Sequence, residues 1–277
     1  MLLDKLKSLL IKHGIWAKKN LGQNFLVDEK AFDKIIEAAD LKSTDNIIEV
    51  GPGTGFLTER LIKNVKHVTA VELDRDMIRV LQSRFDGVKN LELIQADILK
   101  LRTQDTGHRT QQYKVVANIP YYITSPLLKH FLQADHRPSS MVVLVQKEVA
   151  EKIVGKTGKS LITIETQLFG RPEIMGIVPA SSFYPAPKVD SVILKIEVYK
   201  KPLVPAAQFD DFLRLVKFGF SQKRKMLSNT LSAGLHIKSS EMSVILKKAG
   251  INPNLRAENL EIEDWGRLAK VLTKKKK

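Results

Sequence analysis

The feature that most restricts the fold is a repeated change of hydrophobic period between residues 45 and 146. Short runs rich in β-branched residues occur at 46–50 (NIIEV), 67–72 (HVTAVE), 91–95 (LELIQ), 113–117 (YKVVA) and 141–146 (MVVLVQ). Helical patterns separate them at 56–64, 75–85 and 125–134, the last with Ser125 as the expected N-cap and Pro126 at its first position. Strands alternating with helices in this way read as βαβ units, so the segment predicts a parallel α/β sheet. Two further strands are expected at 173–178 and 191–198. The loop PASSFYPAPKVD, with three prolines, separates them, and a closing hairpin at the sheet edge is the simplest arrangement.

After Lys200 and Lys201 the pattern changes. Pro202 and Pro205 mark a linker, and helices are expected over 208–219, 223–233, 240–249 and 263–272. The chain of 277 residues therefore divides into a sheet domain, 1–199, and a small all-helical domain, 200–277. The opening MLLDKLKSLLIKHGIW is interrupted by Asp4, Lys5 and Lys7 and reads as an amphipathic helix, not a signal peptide. No run approaches the ~18 apolar residues of a membrane span. The apolar-free stretch 102–112 is expected as an exposed loop, and the final KKKK as an unstructured tail.

The formal net charge of +15 is unevenly placed. Residues 1–19 carry +4, residues 20–199 carry +1, and residues 200–277 carry +10. A lysine-rich solvated surface would explain one such run, but basic ends around a neutral middle favour a polyanionic partner held through phosphate contacts. The absence of cysteine excludes disulfide scaffolds, Cys-ligated metals and thiolate nucleophiles, including covalent attack on a pyrimidine ring, and it permits a reducing compartment. No metal site is expected.

Directly after the first strand stands E-V-G-P-G-T-G, Glu49 to Gly55. Glycines there let the backbone turn sharply and let a ligand approach it, so Gly51 and Gly53 are candidate contacts. A dinucleotide site would place its third glycine at position 56, which is Phe, and this disfavours a pyrophosphate cradle. Glu72 ends the second strand about 20 residues on, where a carboxylate can accept from both hydroxyls of a ribose. Asp97, just past the third strand, is placed for an adenine edge. Taken singly these are a tight turn, a capping acid and a surface acid; together they describe a pocket for S-adenosylmethionine. The sequence G-K-T-G-K-S at residues 155–160 ends like a phosphate-binding loop, but the required earlier glycine is Ile153, so it is read as a basic loop.

The tetrapeptide N-I-P-Y, Asn118 to Tyr121, ends the fourth strand. The exocyclic amine of adenine is a poor nucleophile because its lone pair is delocalised into the ring. An enzyme must accept its N–H hydrogens in a geometry that favours a pyramidal nitrogen. The Asn118 side-chain oxygen and the Ile119 carbonyl can do so, Pro120 fixes the turn without a competing N–H, and Tyr121 offers a ring face to the base. No general base is required, because the amine becomes acidic only after it attacks the methyl group.

At these residues the chain resembles the KsgA-type small-subunit rRNA adenine dimethyltransferases. In family order come N-L-G-Q-N-F-L (20–26), E-V-G-P-G-T-G, V-E-L-D-R-D (71–76), N-I-P-Y-Y-I-T-S-P, Q-K-E-V-A-E-K-I (146–153), S-F-Y-P-A-P-K-V-D-S (182–191) and F-G-F-S-Q-K-R-K-M-L (218–227). Ile119, where bacterial members often carry Leu, is a departure that touches only a carbonyl. The resemblance implies a Rossmann-like class I methyltransferase sheet with a helical C-terminal domain. It implies cofactor contacts from Asn24, Leu26, Gly51, Glu72, Asp97 and Asn118, and a target adenine stacked between Tyr121 and Phe183. It further implies dimethylation at N6 of two adjacent adenosines in a hairpin loop near the 3′ end of small-subunit rRNA, by a cytoplasmic monomer acting on a pre-ribosomal particle. Lys147, Lys223, Arg224 and Lys225 are the expected RNA contacts, against the plainer reading of a solvated helix start for the last three; for Phe183 the plainer reading is a packing plug. Two alternatives keep the scaffold, a resistance-type large-subunit rRNA methyltransferase and a non-catalytic RNA-binding factor. A third, a dehydrogenase, fails on glycine spacing.

Overall fold

An amphipathic helix, α1 (Leu2–His13), buries Leu2, Leu6 and Leu10 along one face and ends at a left-handed Gly14. A two-residue strand, β1 (Phe25–Leu26), precedes α2 (Glu29–Ala39), which Asp28 caps by accepting from the Lys30 and Ala31 amides. The five apolar runs then form β2 (Asn46–Val50), β3 (His67–Glu72), β4 (Leu91–Gln95), β5 (Tyr113–Asn118) and β6 (Ser140–Gln146). Every pairing among these five is parallel, with α3 (Phe56–Asn64), α4 (Arg75–Arg84) and α5 (Thr124–Leu132) among the connections. Two helices, α6 (Lys147–Val154) and α7 (Leu161–Gln167), lead to β7 (Gly170–Val178), β8 (Phe183–Tyr184) and β9 (Ser191–Val198). The sheet order is β4-β3-β2-β5-β6-β9-β7, with β9 antiparallel to β6, so the expected closing strands do occupy one edge. The short β8 pairs instead with β1.

This computed structural model describes residues 1–18, 21–102, 112–205 and 208–275. The chain packs as two units, residues 1–150 with 172–198, and residues 151–171 with 199–277. One of the changes of unit falls after Val198. Residues 151–171, which the sequence assigned to the sheet domain, pack with the helices. The sheet unit is buried through both faces of β2, whose five residues are all buried, as a central strand between helices requires. The second unit comprises α7, α8 (Phe209–Gly219), α9 (Leu227–Leu235), α10 (Ser239–Lys248) and α11 (Ile262–Lys275), around a core that includes Phe212, Leu231, Leu246 and Trp265.

Three local expectations need correction. Ser125 does not cap α5. A 3₁₀ turn, Tyr121–Ile123, runs straight into the helix, and the Thr124 hydroxyl donates to the Tyr121 carbonyl, so Ser125 already lies inside the first turn. Lys223 does not start a helix either: residues 221–226 form an exposed turn and α9 begins at Leu227, where the first apolar side chain can be buried. Finally, α11 continues through Lys275, so half of the terminal lysine run is helical. Residues 103–111, most of the expected exposed loop, lie outside the described residues, as do Asn20, Lys276 and Lys277. Among the described residues no helix is long and apolar enough to cross a membrane.

Candidate active site

The loop between β2 and α3 is shaped by its glycines. Gly53 adopts φ +57° and donates its N–H to Glu72 Oε2 at 3.0 Å. Gly55 has φ +83°, and a Cβ there would lie 2.6 Å from the Phe85 ring, so no other residue fits. The early third glycine that argued against a dinucleotide fingerprint thus serves close packing of the loop against α4, at the start of α3.

A cavity of about 240 Å³ lies over this loop. Asn24 and Leu26 line it from the N-terminal arm, Gly51 and Gly53 from the loop, Glu72 from the end of β3 and Asp97 from beyond β4. Asn118, Ile119, Pro120 and Tyr121 line it from the end of β5, and Phe183 from β8. All expected cofactor and base contacts therefore meet in one place, at the carboxyl ends of the parallel strands, where such sheets bind ligands. Lys147 is exposed at the start of α6, and Lys223, Arg224 and Lys225 are exposed in the second unit; none lines the cavity.

The lining is electrostatically one-sided. Glu49, Glu72 and Asp97 contribute carboxyl groups and, among the described residues, no Lys, Arg or His lines the cavity. Glu72 is buried; its Oε1 accepts from the Asp74 N–H at 2.8 Å and its Oε2 from Gly53. Burial pushes its pKa up, and the backbone donors oppose that shift. The Leu73 N–H is a third backbone donor to Glu72, so of the roughly four acceptor positions of a carboxylate about one stays open toward the cavity. Asp97 Oδ1 accepts from the Leu99 N–H at 3.0 Å, which fixes the side chain beside the cavity.

Glu49 was missed in the sequence. It is 1% exposed, neither carboxyl oxygen has a hydrogen-bond partner, and burial pushes its pKa up to about 8, opposed by the nearby Thr58 hydroxyl and reinforced by Glu72. The available signal was an acid next to Ile47, Ile48 and Val50 in a central strand, where burying a carboxyl group is costly. Ser191 was also missed. The Tyr121 hydroxyl and Ser191 Oγ hydrogen-bond at 2.7 Å, which ties the Tyr121 ring to the first residue of β9. Burial raises the Tyr121 pKa, against the opposing effect of that bond.

Phe183 is only 4% exposed and belongs to the apolar core as well as to the cavity wall. Its backbone is set by the β1–β8 ribbon, in which Leu26 is opposite Phe183 and Phe25 opposite Tyr184. Asp28, the cap of α2, anchors the same ribbon by accepting from the Ser182 hydroxyl at 2.7 Å, and that bond holds its carboxyl below the usual range.

The family model for ribosomal RNA adenine dimethylase matches residues 15–274. A relative from Dehalococcoides mccartyi (strain CBDB1), the ribosomal RNA small subunit methyltransferase A, is 44% identical over 268 residues, covering 96% of this chain and 92% of the relative. Two solved structures superpose over nearly the whole chain. A dimethyladenosine transferase from Plasmodium falciparum matches with a TM-score of 0.77 and 29% identity, covering 91% of this chain and 98% of the other. The 23S rRNA methyltransferase ErmE matches with a TM-score of 0.73 and 28% identity, covering 90% and 100%.

Proposed function

The chain belongs to the ribosomal RNA adenine dimethylase family, and on that premise we propose that it uses S-adenosylmethionine to dimethylate N6 of two adjacent adenosines near the 3′ end of small-subunit rRNA. The observation that carries the chemistry is the cavity that joins the glycine loop to Asn118-Ile119-Pro120-Tyr121, with carboxyl groups and, among the described residues, no Lys, Arg or His in its lining. Its carboxyl groups suit a cation and a ribose and oppose the pyrophosphate of a dinucleotide. Bound there, S-adenosylmethionine supplies an electrophilic methyl group on a positively charged sulfonium. Glu72 accepts from a ribose hydroxyl, Asp97 from the adenine amine, and Asn24 and Leu26 cover the cofactor from the arm. The Asn118 side-chain oxygen and the Ile119 carbonyl accept the N–H hydrogens of the target amine. Tyr121, held by Ser191, stacks the extruded base against Phe183, and the basic turn at Lys223, Arg224 and Lys225, together with Lys147, contacts RNA phosphates.

The small-subunit target is favoured over a large-subunit one by degree of likeness. The small-subunit relative stands at 44% identity, while the 23S enzyme, of similar fold, stands at 28%. The substrate is then a pre-ribosomal small-subunit particle in the cytoplasm, met by a monomer. The test is methyl transfer to small-subunit and large-subunit particles lacking the modification. Wild-type protein should form dimethyladenosine on the former alone. Asn118→Ala should lower turnover by about 10²-fold or more, because its acceptor is needed chiefly as the amine pyramidalises, while RNA binding persists. Turnover of Asn118→Ala near the wild-type rate would refute the mechanism, and product on the large-subunit particle would refute the target.

A further inference from the structure

The arm that carries Asn24 and Leu26 is fastened at both ends. After Leu26 it is held by the β1–β8 ribbon and by the Val27 N–H donating to the Ser182 carbonyl at 2.8 Å. Before Asn24 the fastening is polar. Lys18 Nζ lies 2.6 Å from Asp74 Oδ1 and 2.7 Å from Asp76 Oδ2. Gln23 donates from Nε2 to Asp74 Oδ2 at 2.8 Å, and its Oε1 accepts the Lys18 backbone N–H at 2.8 Å. The Lys18 carbonyl in turn accepts from the Leu21 and Gln23 amides.

Asp74 connects this fastening to the ribose acceptor. It is 4% exposed, caps α4 by accepting from the Asp76 N–H, and donates its own backbone N–H to Glu72 Oε1 at 2.8 Å. One residue therefore grips the arm through its side chain and Glu72 through its backbone. We propose that Lys18 and Gln23 are positioning residues which, by gripping Asp74 and Asp76, latch the arm over the cofactor and hold Asn24 and Leu26 in contact with it. Neither residue need touch the reacting atoms. The pair stabilises each partner's charged form, raising the Lys18 pKa and lowering that of Asp76. Lys18 remains about one-third exposed, so the latch is open to screening by salt.

The arm lines one side of the cavity, so the latch stabilises the contacts it offers to the bound cofactor. It rests on the S-adenosylmethionine reading of the cavity. The experiment is calorimetric titration of the full chain with S-adenosylmethionine at low and high salt, with steady-state kinetics on small-subunit particles. Lys18→Met should bind about tenfold more weakly, the scale of one charge-assisted hydrogen-bond pair, and should show a smaller salt dependence than the wild type. KM for the cofactor should rise while kcat at saturation stays within about twofold, and Lys18→Arg should restore both.

A purely structural role would instead lower thermal stability and kcat together. If Lys18→Met melts lower than the wild type, Asp76→Asn, altered on the exposed side of the latch, gives the decisive measurement, with the same loss expected in smaller degree. Wild-type affinity in a variant that melts normally overturns the latch and leaves the cofactor reading standing. A wild-type protein that binds no S-adenosylmethionine overturns the cofactor reading, and the latch with it.

Discussion

Glu49 places a carboxyl group where nothing balances its charge, and the consequence is a pH-dependent stability. Its ordinary value is 4.5, and burial raises it to about 8 in the fold. Between these values the unfolded chain has released the proton that the folded chain retains. Folding then binds a proton, so stability falls as pH rises, by up to about 1.4 kcal/mol per pH unit, and levels off above pH 8. This is the reverse of a salt-bridged acid, whose contribution grows with pH. Glu49→Gln removes the titration and keeps the shape. Urea denaturation at pH 5.5, 7 and 8.5 should show the variant gaining on the wild type as pH rises. Glu72 is shifted in the same direction and reinforces the Glu49 shift, so the difference between the two proteins reports Glu49 together with its coupling to Glu72. Parallel pH profiles for the two proteins would mean that Glu49 is solvated or paired in solution.

Close approach governs the helices as it does the glycine loop. Gly219 ends α8, and a Cβ built there lies 2.2 Å from Cη2 of Trp265, a fully buried ring in α11. Gly219→Ala therefore forces the ring or the helix to move. With so close an approach to a buried ring the expected cost is about 2–3 kcal/mol, less the roughly 1 kcal/mol by which Ala favours a helix over Gly, a net loss of about 1–2 kcal/mol. Urea melts followed by tryptophan fluorescence measure it, because Trp265 is the buried one of the chain's two tryptophans while Trp16 is 75% exposed. A variant as stable as the wild type would show that α8 and α11 pack loosely enough in solution to admit a methyl group.

These contacts also explain what could be read from sequence. The central strands were legible because parallel strands buried on both faces become unbroken β-branched runs. That the loop residues, Glu72, Asp97 and Asn118 would meet was legible because each stands at or just past the end of a parallel strand. The β1–β8 ribbon was not, since two-residue strands have no period and their partners lie far apart in the chain. Ser191 and the Lys18–Asp74 latch escaped for the same reason: their meaning lies in a partner, Tyr121 or the arm, that only the fold brings near. The turn at Lys223 was misread as a helix start because three basic residues carry helix propensity but offer nothing to bury.

At the scale of the whole chain, charge and site are separated. Residues 20–199 carry a net +1 and residues 200–277 carry +10, while the cavity lies wholly within the sheet unit and is lined by acids. A polyanion held by the acidic cavity alone would be repelled, so affinity for RNA and capture of the target base must rest on different residues. Lys223, Arg224 and Lys225 are exposed together in one turn, the arrangement that phosphate binding needs. Phe183 is the opposite case, an aromatic side chain in the cavity wall with no charge to offer. Phe183→Leu, which keeps apolar volume in the core and removes the ring, should lower turnover on small-subunit particles while leaving the salt dependence of RNA binding unchanged. The effect should approach the worth of one stacked base, about 1–3 kcal/mol. Neutralising Lys223, Arg224 and Lys225 together should flatten the plot of log affinity against log salt by roughly 0.7–0.9 for each phosphate no longer neutralised. Turnover at saturating RNA should then be little changed, since the cavity is intact. An unchanged slope in the triple variant would return that turn to an ordinary solvated surface, and a changed slope in Phe183→Leu would mean that its ring helps to hold the RNA backbone as well as the base.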